Sequence, residues 1–192
     1  MARFTRAELE EALAIYNAAR DAASSSGDWR IWAGIFTEDA HYIEHAYGEM
    51  HGRQAICDWI TGVMAPFPKM TFPQDWVCFD EDNGAIVFQC QNAFPEPFDA
   101  STGKPYAFPN WTRLVYAGDG LFASEEDVYN PAHFGPMVEG WLAAYAAHHP
   151  DAREGSGVGG NRLAQVERDE PIRPPARGEP VAEAAGPFAA RE

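Results

Sequence analysis

Residues 39–53 read Asp-Ala-His-Tyr-Ile-Glu-His-Ala-Tyr-Gly-Glu-Met-His-Gly-Arg, and the secondary structure on both sides can be placed from this segment. Its alternating pattern from residue 40 to residue 46 predicts a β-strand. Residues 47–48 predict a turn, and residues 52–53 predict the start of a helix. The stretch also holds three of the six histidines, so residues suited to chemistry lie inside what must be a structural element.

The two faces of this strand carry different side chains. Because successive side chains point to opposite faces, Tyr42 and Glu44 share one face, and His41, Ile43 and His45 share the other. A sheet that presents Tyr and Glu on its concave face lines a pocket with a polar end. We therefore expect a ligand cavity on the Tyr42 side.

Three helices are predicted around this strand. A capping box at residues 5–8 starts a helix that runs to about residue 23, with Tyr16 on its apolar stripe. A short second helix is predicted from Asp28 to residue 36, where the polar run 37–39 ends it. The third starts after Gly52 and ends before the prolines at 66 and 68.

In the second half of the sequence, apolar and polar residues alternate with the two-residue period of β-strands. Four strands are predicted at residues 72–79, 85–94, 106–116 and 121–129, and Asn130-Pro131 predicts the start of a last helix. Helices on one face of a curved antiparallel sheet make an α+β domain, shaped as a cone with an internal cavity. We assign residues 1–150 to this domain and residues 151–192, rich in Gly and Pro, to a flexible tail or arm.

Composition limits the partners and the compartment. The formal charge is −15, of which residues 1–150 carry −13, so clustered Lys and Arg for nucleic acid or anionic membrane are not expected. Three cysteines without paired spacing predict no disulfide framework, and no apolar run approaches the ~20 residues of a membrane span. We expect a cytoplasmic protein with reduced thiols.

Four short motifs carry a resemblance to a known family. They are Gly-Asp-Trp at 27–29, Phe-Thr-Glu-Asp-Ala at 36–40, His-Gly-Arg-Gln-Ala-Ile at 51–56 and Glu-Asp-Val-Tyr-Asn-Pro at 126–131. In this order, over residues 5–147, the chain resembles the SnoaL-like branch of the nuclear-transport-factor-2-like superfamily. That superfamily includes polyketide cyclases, ketosteroid isomerases, scytalone dehydratases, epoxide hydrolases and binding modules, so the fold alone does not give the function.

Ketosteroid isomerases in this superfamily suggest roles for three residues. The resemblance places Tyr16 as a hydrogen-bond donor to a substrate oxygen and Glu44 as the carboxylate that moves a proton. The isomerase's second acidic donor falls on Asn110, which can donate but is not a carboxylic acid. Steroid isomerisation is thereby put in doubt, whereas proton abstraction is not. Structural roles remain open for two of them: Glu44 could form a salt bridge to Arg53 or Arg113, and Tyr16 could bind core backbone.

Further candidates complete the predicted site. At least one of the acidic residues 125–127 must point inward, and we choose Asp127, because cyclases of the superfamily that the chain resembles place an Asp near this position. His45, near the turn, is a candidate acid–base partner for Glu44. A metal site built from His41, His45, His51 and Glu44 is disfavoured, since Glu44 faces away from the strand histidines. The catalytic candidates are therefore Glu44, Tyr16, His45, Tyr42, Asn110 and Asp127, and the substrate-binding candidates are Trp32, Asn92, Trp111 and Arg113. For Arg113 a surface ion pair is the competing interpretation, and Trp111 reaches the pocket only if the strand register shifts by one residue.

These residues predict a cofactor-independent lyase or isomerase that acts on a hydrophobic, phenolic molecule. A carboxylate in an aromatic pocket has a raised pKa and becomes a better proton carrier. Some members of the family that resemble this chain are lyases that remove formaldehyde from lignin-derived diarylpropane diols, which the many aromatic residues would suit. The alternatives are a non-catalytic binding module and a metal-dependent enzyme. An aromatic-rich sheet face further predicts a homodimer or homotrimer.

Overall fold

The computed structural model of the protein describes residues 2–67 and 69–149. The predicted tail at 151–192 lies outside the described residues. The helices are α1 (Arg6–Ser26), α2 (Arg30–Ala33), α3 (Arg53–Met64) and α4 (Pro131–His148). The strands are β1 (Phe36–Glu44), β2 (Gly48–His51), β3 (Gln74–Asp80), β4 (Ala85–Ala93), β5 (Ala107–Gly118) and β6 (Leu121–Val128). This is the predicted α+β class, and every predicted helix and strand is present.

The six strands form one curved, open sheet in the order β2-β1-β6-β5-β4-β3. Neighbouring strands pair antiparallel except β1 and β6, which are parallel, with Tyr42 opposite Glu125 and Glu44 opposite Asp127. A hairpin forces its two strands to be antiparallel, but β1 and β6 are joined through α3 and four other strands. This parallel pairing places Glu44 of β1 beside Glu125 and Asp127 of β6.

The N-terminal helices differ in how closely they follow the sequence pattern. Thr5 caps α1 through the predicted capping box with Glu8, and the helix extends to Ser26 before Gly27 ends it with a φ of 78°. The second helix is only four residues long, whereas we predicted that it reaches residue 36. The amide of Phe122 donates to the carbonyl of Ile35 at 2.9 Å, and β6 pairs with the residue that follows. Pairing in the sheet therefore outweighs the local helical pattern.

The core lies between the helices and the concave face of the sheet. It is dominated by aromatic rings in edge-to-face contact, of which Tyr16, Trp32, Phe36, Phe88 and Phe122 are almost fully buried. In the part of the chain that is described, no helix combines the length and apolar character needed to cross a bilayer. The aromatic core continues into the cavity that holds the candidate site.

Candidate functional site

A cavity of about 120 Å³ opens between the concave face of the sheet and helices α1 to α3. Its inner end is formed by buried side chains, including Tyr16, Trp32 and Glu125. Partly exposed residues mark the mouth; these are Tyr47, Trp59, Val63, Met64, Tyr129 and Phe134. The remaining lining residues are Arg20, Trp29, Tyr42, Glu44, Ile60, Phe67, Met70, Phe72, Cys90, Asn92, Phe108, Asn110, Thr112 and Asp127. The cavity is thus largely aromatic with a small polar group at one side.

The opening strand has the predicted faces, but it ends earlier than predicted. Tyr42 and Glu44 are buried and line the cavity, and His41 points to the outer face. Residues 45–47 form the turn, which puts His45 outside the regular strand. Its Nε2 lies 3.0 Å from Oε1 of Glu126, an outward-facing residue, and His45 is exposed. The expectation that His45 assists Glu44 is therefore wrong.

Glu44 combines a local structural contact with a buried position. Its Oε2 accepts hydrogen bonds of 2.7 Å from the amides of both Ala46 and Tyr47, so it holds the turn that follows β1. Burial raises its pKa, against the opposing effect of the Tyr129 side chain and the two turn amides. Among the described residues it forms no ion pair, and Arg53 instead donates to the carbonyl of Phe36 at 2.6 Å. The alternative of a salt bridge is not supported.

Glu125 is a buried ionisable group of the site, and from the acidic run 125–127 we chose Asp127 instead of it. It is 2% exposed, and the Tyr16 hydroxyl donates to its Oε1 at 2.8 Å. Its Oε2 has no hydrogen-bond partner among the described residues. Burial and the neighbouring charge of Asp127 raise the pKa of Glu125 well above the usual range, although Tyr16 and Arg20 oppose the shift. Burial and the charge of Asp127 both favour the protonated form of this carboxyl group.

Asp127 accepts hydrogen bonds from three side chains of the site. Its Oδ1 accepts from the Asn110 amide at 2.7 Å and from the Thr112 hydroxyl at 2.6 Å, and its Oδ2 accepts from the Tyr42 hydroxyl. The second amide hydrogen of Asn110 is directed to Thr112 Oγ1 at 3.1 Å. Both carboxylate oxygens of Asp127 therefore accept hydrogen bonds from protein side chains. In this network the Tyr42 hydroxyl and both amide hydrogens of Asn110 already donate to protein acceptors.

Arg20 places a positive charge beside this acidic group and was also missed. It is 5% exposed and stands over the rings of Tyr16, Phe72 and Phe88, with 4.8 Å from its guanidinium to the Phe72 ring. One amino group donates to Asn17 Oδ1 at 3.0 Å and to the Phe72 carbonyl at 3.1 Å. In residues 2–67 and 69–149 no carboxylate pairs with it directly. Its charge therefore acts on the cavity through space.

Cys90 lines the same part of the cavity. Burial raises the pKa of its thiol to about 12, so the thiol stays protonated and is a poor nucleophile at neutral pH. Cys90 is therefore not a candidate nucleophile of this cavity.

The four predicted binding residues fall into two groups. Trp32 is buried and Asn92 half-buried, and both line the cavity. Trp111 and Arg113 are exposed on the outer face, because inward-facing Asn110 and Thr112 alternate with them along β5. Their assignment to the site is therefore wrong, and Arg113 lies opposite outward-facing Glu126 in the sheet register.

The missed residues had usable signals in the sequence. Glu125 lies two residues from Asp127, so an inward Asp127 on a strand requires an inward Glu125. Thr112 stands in the same relation to Asn110. Arg20 continues the helical spacing of Leu9, Leu13 and Tyr16, and a charged residue on an apolar stripe is a sign of a special environment.

The fold and the site together define a class of protein. An open, curved sheet wrapped by helices around an aromatic cavity with buried carboxyl groups is the cone of the nuclear-transport-factor-2-like superfamily. Within it, the chain belongs to the SnoaL-like domain family, which matches residues 17–125, more than half of the sequence.

Solved structures agree with this fold at low sequence identity. A SnoaL-like polyketide cyclase from Shewanella putrefaciens CN-32 superposes with a TM-score of 0.54 at 12% identity, over 68% of this chain and 85% of the other. One from Jannaschia sp. CCS1 gives 0.53 at 16%, over 69% and 92%. A protein with a ketosteroid isomerase-like fold from Catenulispora acidiphila, in complex with trimethylamine, gives 0.50 at 20%, over 67% and 90%. Among curated proteins, none matches the sequence.

Proposed function

We propose that this protein is an acid–base enzyme, a lyase or isomerase, that acts on a small hydrophobic molecule with a phenolic ring. One observation carries the proposal: two buried carboxyl groups with raised pKa, Glu44 and Glu125, line the same aromatic cavity. Such a reaction requires two groups in different protonation states. One is an ionised carboxylate that accepts a proton, and the other is a neutral carboxyl group that donates one. Both groups come from the chain, so the proposed reaction uses no cofactor.

Glu44 is the proposed base. Its carboxylate lines the cavity on the mouth side, next to Tyr47 and Tyr129, and burial brings its pKa closer to neutral pH. A base is most effective when its pKa lies near the working pH. The turn amides hold Oε2, and the Tyr129 side chain also hydrogen-bonds to this carboxylate, so the substrate proton would be taken up beside Tyr129.

Glu125 is the proposed acid. The resemblance to isomerases suggests Tyr16 and Asn110 as direct donors to the substrate oxygen, but their hydrogens are directed to Glu125, Asp127 and Thr112. Because Oε1 of Glu125 accepts from Tyr16, its proton belongs on Oε2, which has no partner in the described part of the chain. Glu125 is thus the acid available to a substrate oxygen, and Tyr16 positions it.

The cavity size favours a single ring. A cavity of about 150 Å³ in another protein binds benzene, and this one encloses about 120 Å³. A phenol or guaiacyl compound matches that scale. A two-ring diarylpropane diol would fit only if mouth residues such as Tyr47 and Trp59 moved outward. The loss of formaldehyde from such a diol remains the more specific form of the proposal.

The test compares substrate conversion with substrate binding. Guaiacyl compounds, naphthols and a diarylpropane diol are each incubated with the protein, and product formation is followed by absorbance. For a converted compound, Glu44→Gln is expected to keep the dissociation constant, because the amide oxygen still accepts from the turn. It should lower kcat by about 10²–10⁴-fold, as for loss of a general base. The control, Glu126→Gln, changes an outward carboxylate. Unchanged turnover in Glu44→Gln would contradict the proposal.

A binding module without chemistry is the second candidate. It is favoured by the contacts of Glu44 with the amides of Ala46 and Tyr47, which give this residue a structural role independent of catalysis. Saturable binding of one-ring phenols with no product, in the wild type and in all variants, would support this function instead.

A further inference from the structure

The outer face of the β1–β2 hairpin carries a second cluster of polar side chains, which consists of His41, Glu49 and His51. We refer to it as the hairpin cluster. His41 and His51 are opposite each other in the antiparallel register, and their rings stack with centroids 4.4 Å apart. Glu49 is two residues before His51, so it lies on the same face of the edge strand. The three side chains are thus brought together by strand pairing and not by a flexible loop.

The ligand atoms of the hairpin cluster converge. Nε2 of His41 lies 2.8 Å from Oε2 of Glu49, and Nε2 of His51 lies 3.7 Å from the same oxygen. One ligand atom from each residue falls within 4.8 Å of the other two. Two imidazoles and a carboxylate at such separations can share one ion at bond lengths of about 2.0–2.2 Å.

We propose that the hairpin cluster binds one divalent ion of the zinc type. Two imidazole nitrogens and one carboxylate oxygen suit Zn²⁺ and its late first-row neighbours, whereas Mg²⁺ and Ca²⁺ prefer oxygen ligands. A three-ligand site leaves a fourth position for water or for a group from another molecule. The site is separate from the proposed acid–base site, because Tyr42 and Glu44 point to the opposite face of β1.

This site differs from the one that the strand histidines first suggest. Glu44 belongs to the cavity, and His45 lies with Glu126. Alternation along β1 puts Glu44 on the face opposite to His41. Pairing across the hairpin puts Glu49 of β2 beside His41 on the outer face. A metal ion is therefore compatible with the strand geometry, through a carboxylate from β2.

An ion bound to the hairpin cluster would link β2, the edge strand, to β1. In the described part of the chain β2 is an edge strand paired with β1, and the turn between them, residues 45–47, includes Tyr47 of the cavity mouth. An ion bound across the hairpin in the folded state stabilises that state in proportion to its occupancy. The expected result is a higher midpoint of thermal unfolding with Zn²⁺.

The experiment measures Zn²⁺ binding to the full chain, freed of metal by a chelator, by isothermal titration calorimetry and by thermal unfolding. Wild type is expected to bind one ion per chain. His41→Ala and His51→Ala should weaken binding by at least about tenfold, the scale found even for loss of an outer-shell partner of a metal ligand. His45→Ala is the matched control, because His45 lies on the same hairpin and contacts a carboxylate, but no third ligand lies beside it among the described residues. It should bind as wild type does.

Three results would overturn the proposal. The first is no saturable Zn²⁺ binding by the wild type. The second is an equal loss of affinity in His45→Ala and in His41→Ala. The third is an equal response to Mg²⁺, because a chain with a formal charge of −15 attracts cations without specific ligands. Co²⁺ offers an independent check, since its visible absorption on binding should appear in wild type and be lost in His51→Ala.

Discussion

Tyr16 and Glu125 are 109 residues apart in the sequence, yet the hydroxyl of one donates to the carboxyl of the other at 2.8 Å inside the core. The contact joins α1 to β6 and fixes the orientation of a buried carboxyl group in the cavity. Because both side chains are shielded from water, a water molecule cannot take the place of one partner if that partner is removed. The stability of the domain and the protonation of Glu125 are therefore connected.

Replacing Tyr16 by Phe should lower the free energy of unfolding by about 1–3 kcal/mol, because the change leaves a buried acceptor without its donor. Urea unfolding followed by tryptophan fluorescence measures this difference. Tyr145→Phe is the control, since Tyr145 is 37% exposed and should change stability by less than about 0.5 kcal/mol. Equal effects of the two changes would contradict the importance of the Tyr16–Glu125 contact.

The raised pKa of Glu125 predicts how stability depends on pH. The unfolded chain releases this proton near the ordinary Glu pKa of about 4.3, whereas the folded protein keeps it to higher pH. Since the folded state binds more protons in that window, the free energy of unfolding falls as pH rises from the unfolded pKa through the folded pKa. The stabilising contribution is complete below the unfolded pKa.

Glu125→Gln lacks this proton, so its stability relative to wild type should increase with pH over the same window. Urea unfolding at a series of pH values from about 4 upward measures the difference, and the contribution of Glu44 is common to both proteins. A difference that does not vary with pH would show that Glu125 titrates normally.

Asp127→Asn should destabilise the protein by about 1–3 kcal/mol, because one of the two acceptor oxygens becomes an amide donor. The donors of Asn110, Thr112 and Tyr42 would then compete for a single carbonyl oxygen. Chemical unfolding of this variant is compared with Glu126→Gln, the adjacent change on the outer face, which should stay within about 0.5 kcal/mol of wild type. Similar stability of both variants would contradict the network.

The outer sheet face is proposed as the contact surface of a homodimer or homotrimer. Trp76 and Trp111, 38% and 53% exposed, lie on either side of Gln89 in one row of the sheet, and the next residue in that row is half-exposed Val128. Exposed apolar surface of this kind is typical of interfaces. Trp111→Glu should therefore reduce the mass measured by sedimentation to that of one chain. Phe98→Gln, which changes an exposed loop residue, should leave the mass unchanged, and a monomeric wild type would refute the proposal.

Much of the domain follows from short-range patterns. The capping box at Thr5 and Asn130-Pro131 mark the starts of α1 and α4, and these signals act within a few residues. The alternation that separates Tyr42 and Glu44 from His41 is likewise local. These features were accessible from the sequence because each is set by side chains near each other in the chain.

Other features required the folded chain. The end of β1 at Glu44, and with it the outward position of His45, depends on the turn that Glu44 itself holds. The short α2 results from hydrogen bonds to β6, which lies far along the sequence. The donors of Tyr16 and Asn110 could not be assigned to protein acceptors until β6 was in place.

The order of helices and strands, the two faces of β1 and the membership of a family of cone-shaped domains could all be predicted from the amino-acid sequence. These properties depend on local periodicity, turns and caps. The tertiary structure decided the parallel pairing of β1 with β6, the burial of Arg20 and Glu125, and the meeting of His41, Glu49 and His51. Each of these depends on contacts between distant segments, where burial and neighbouring charges set the chemistry of a side chain.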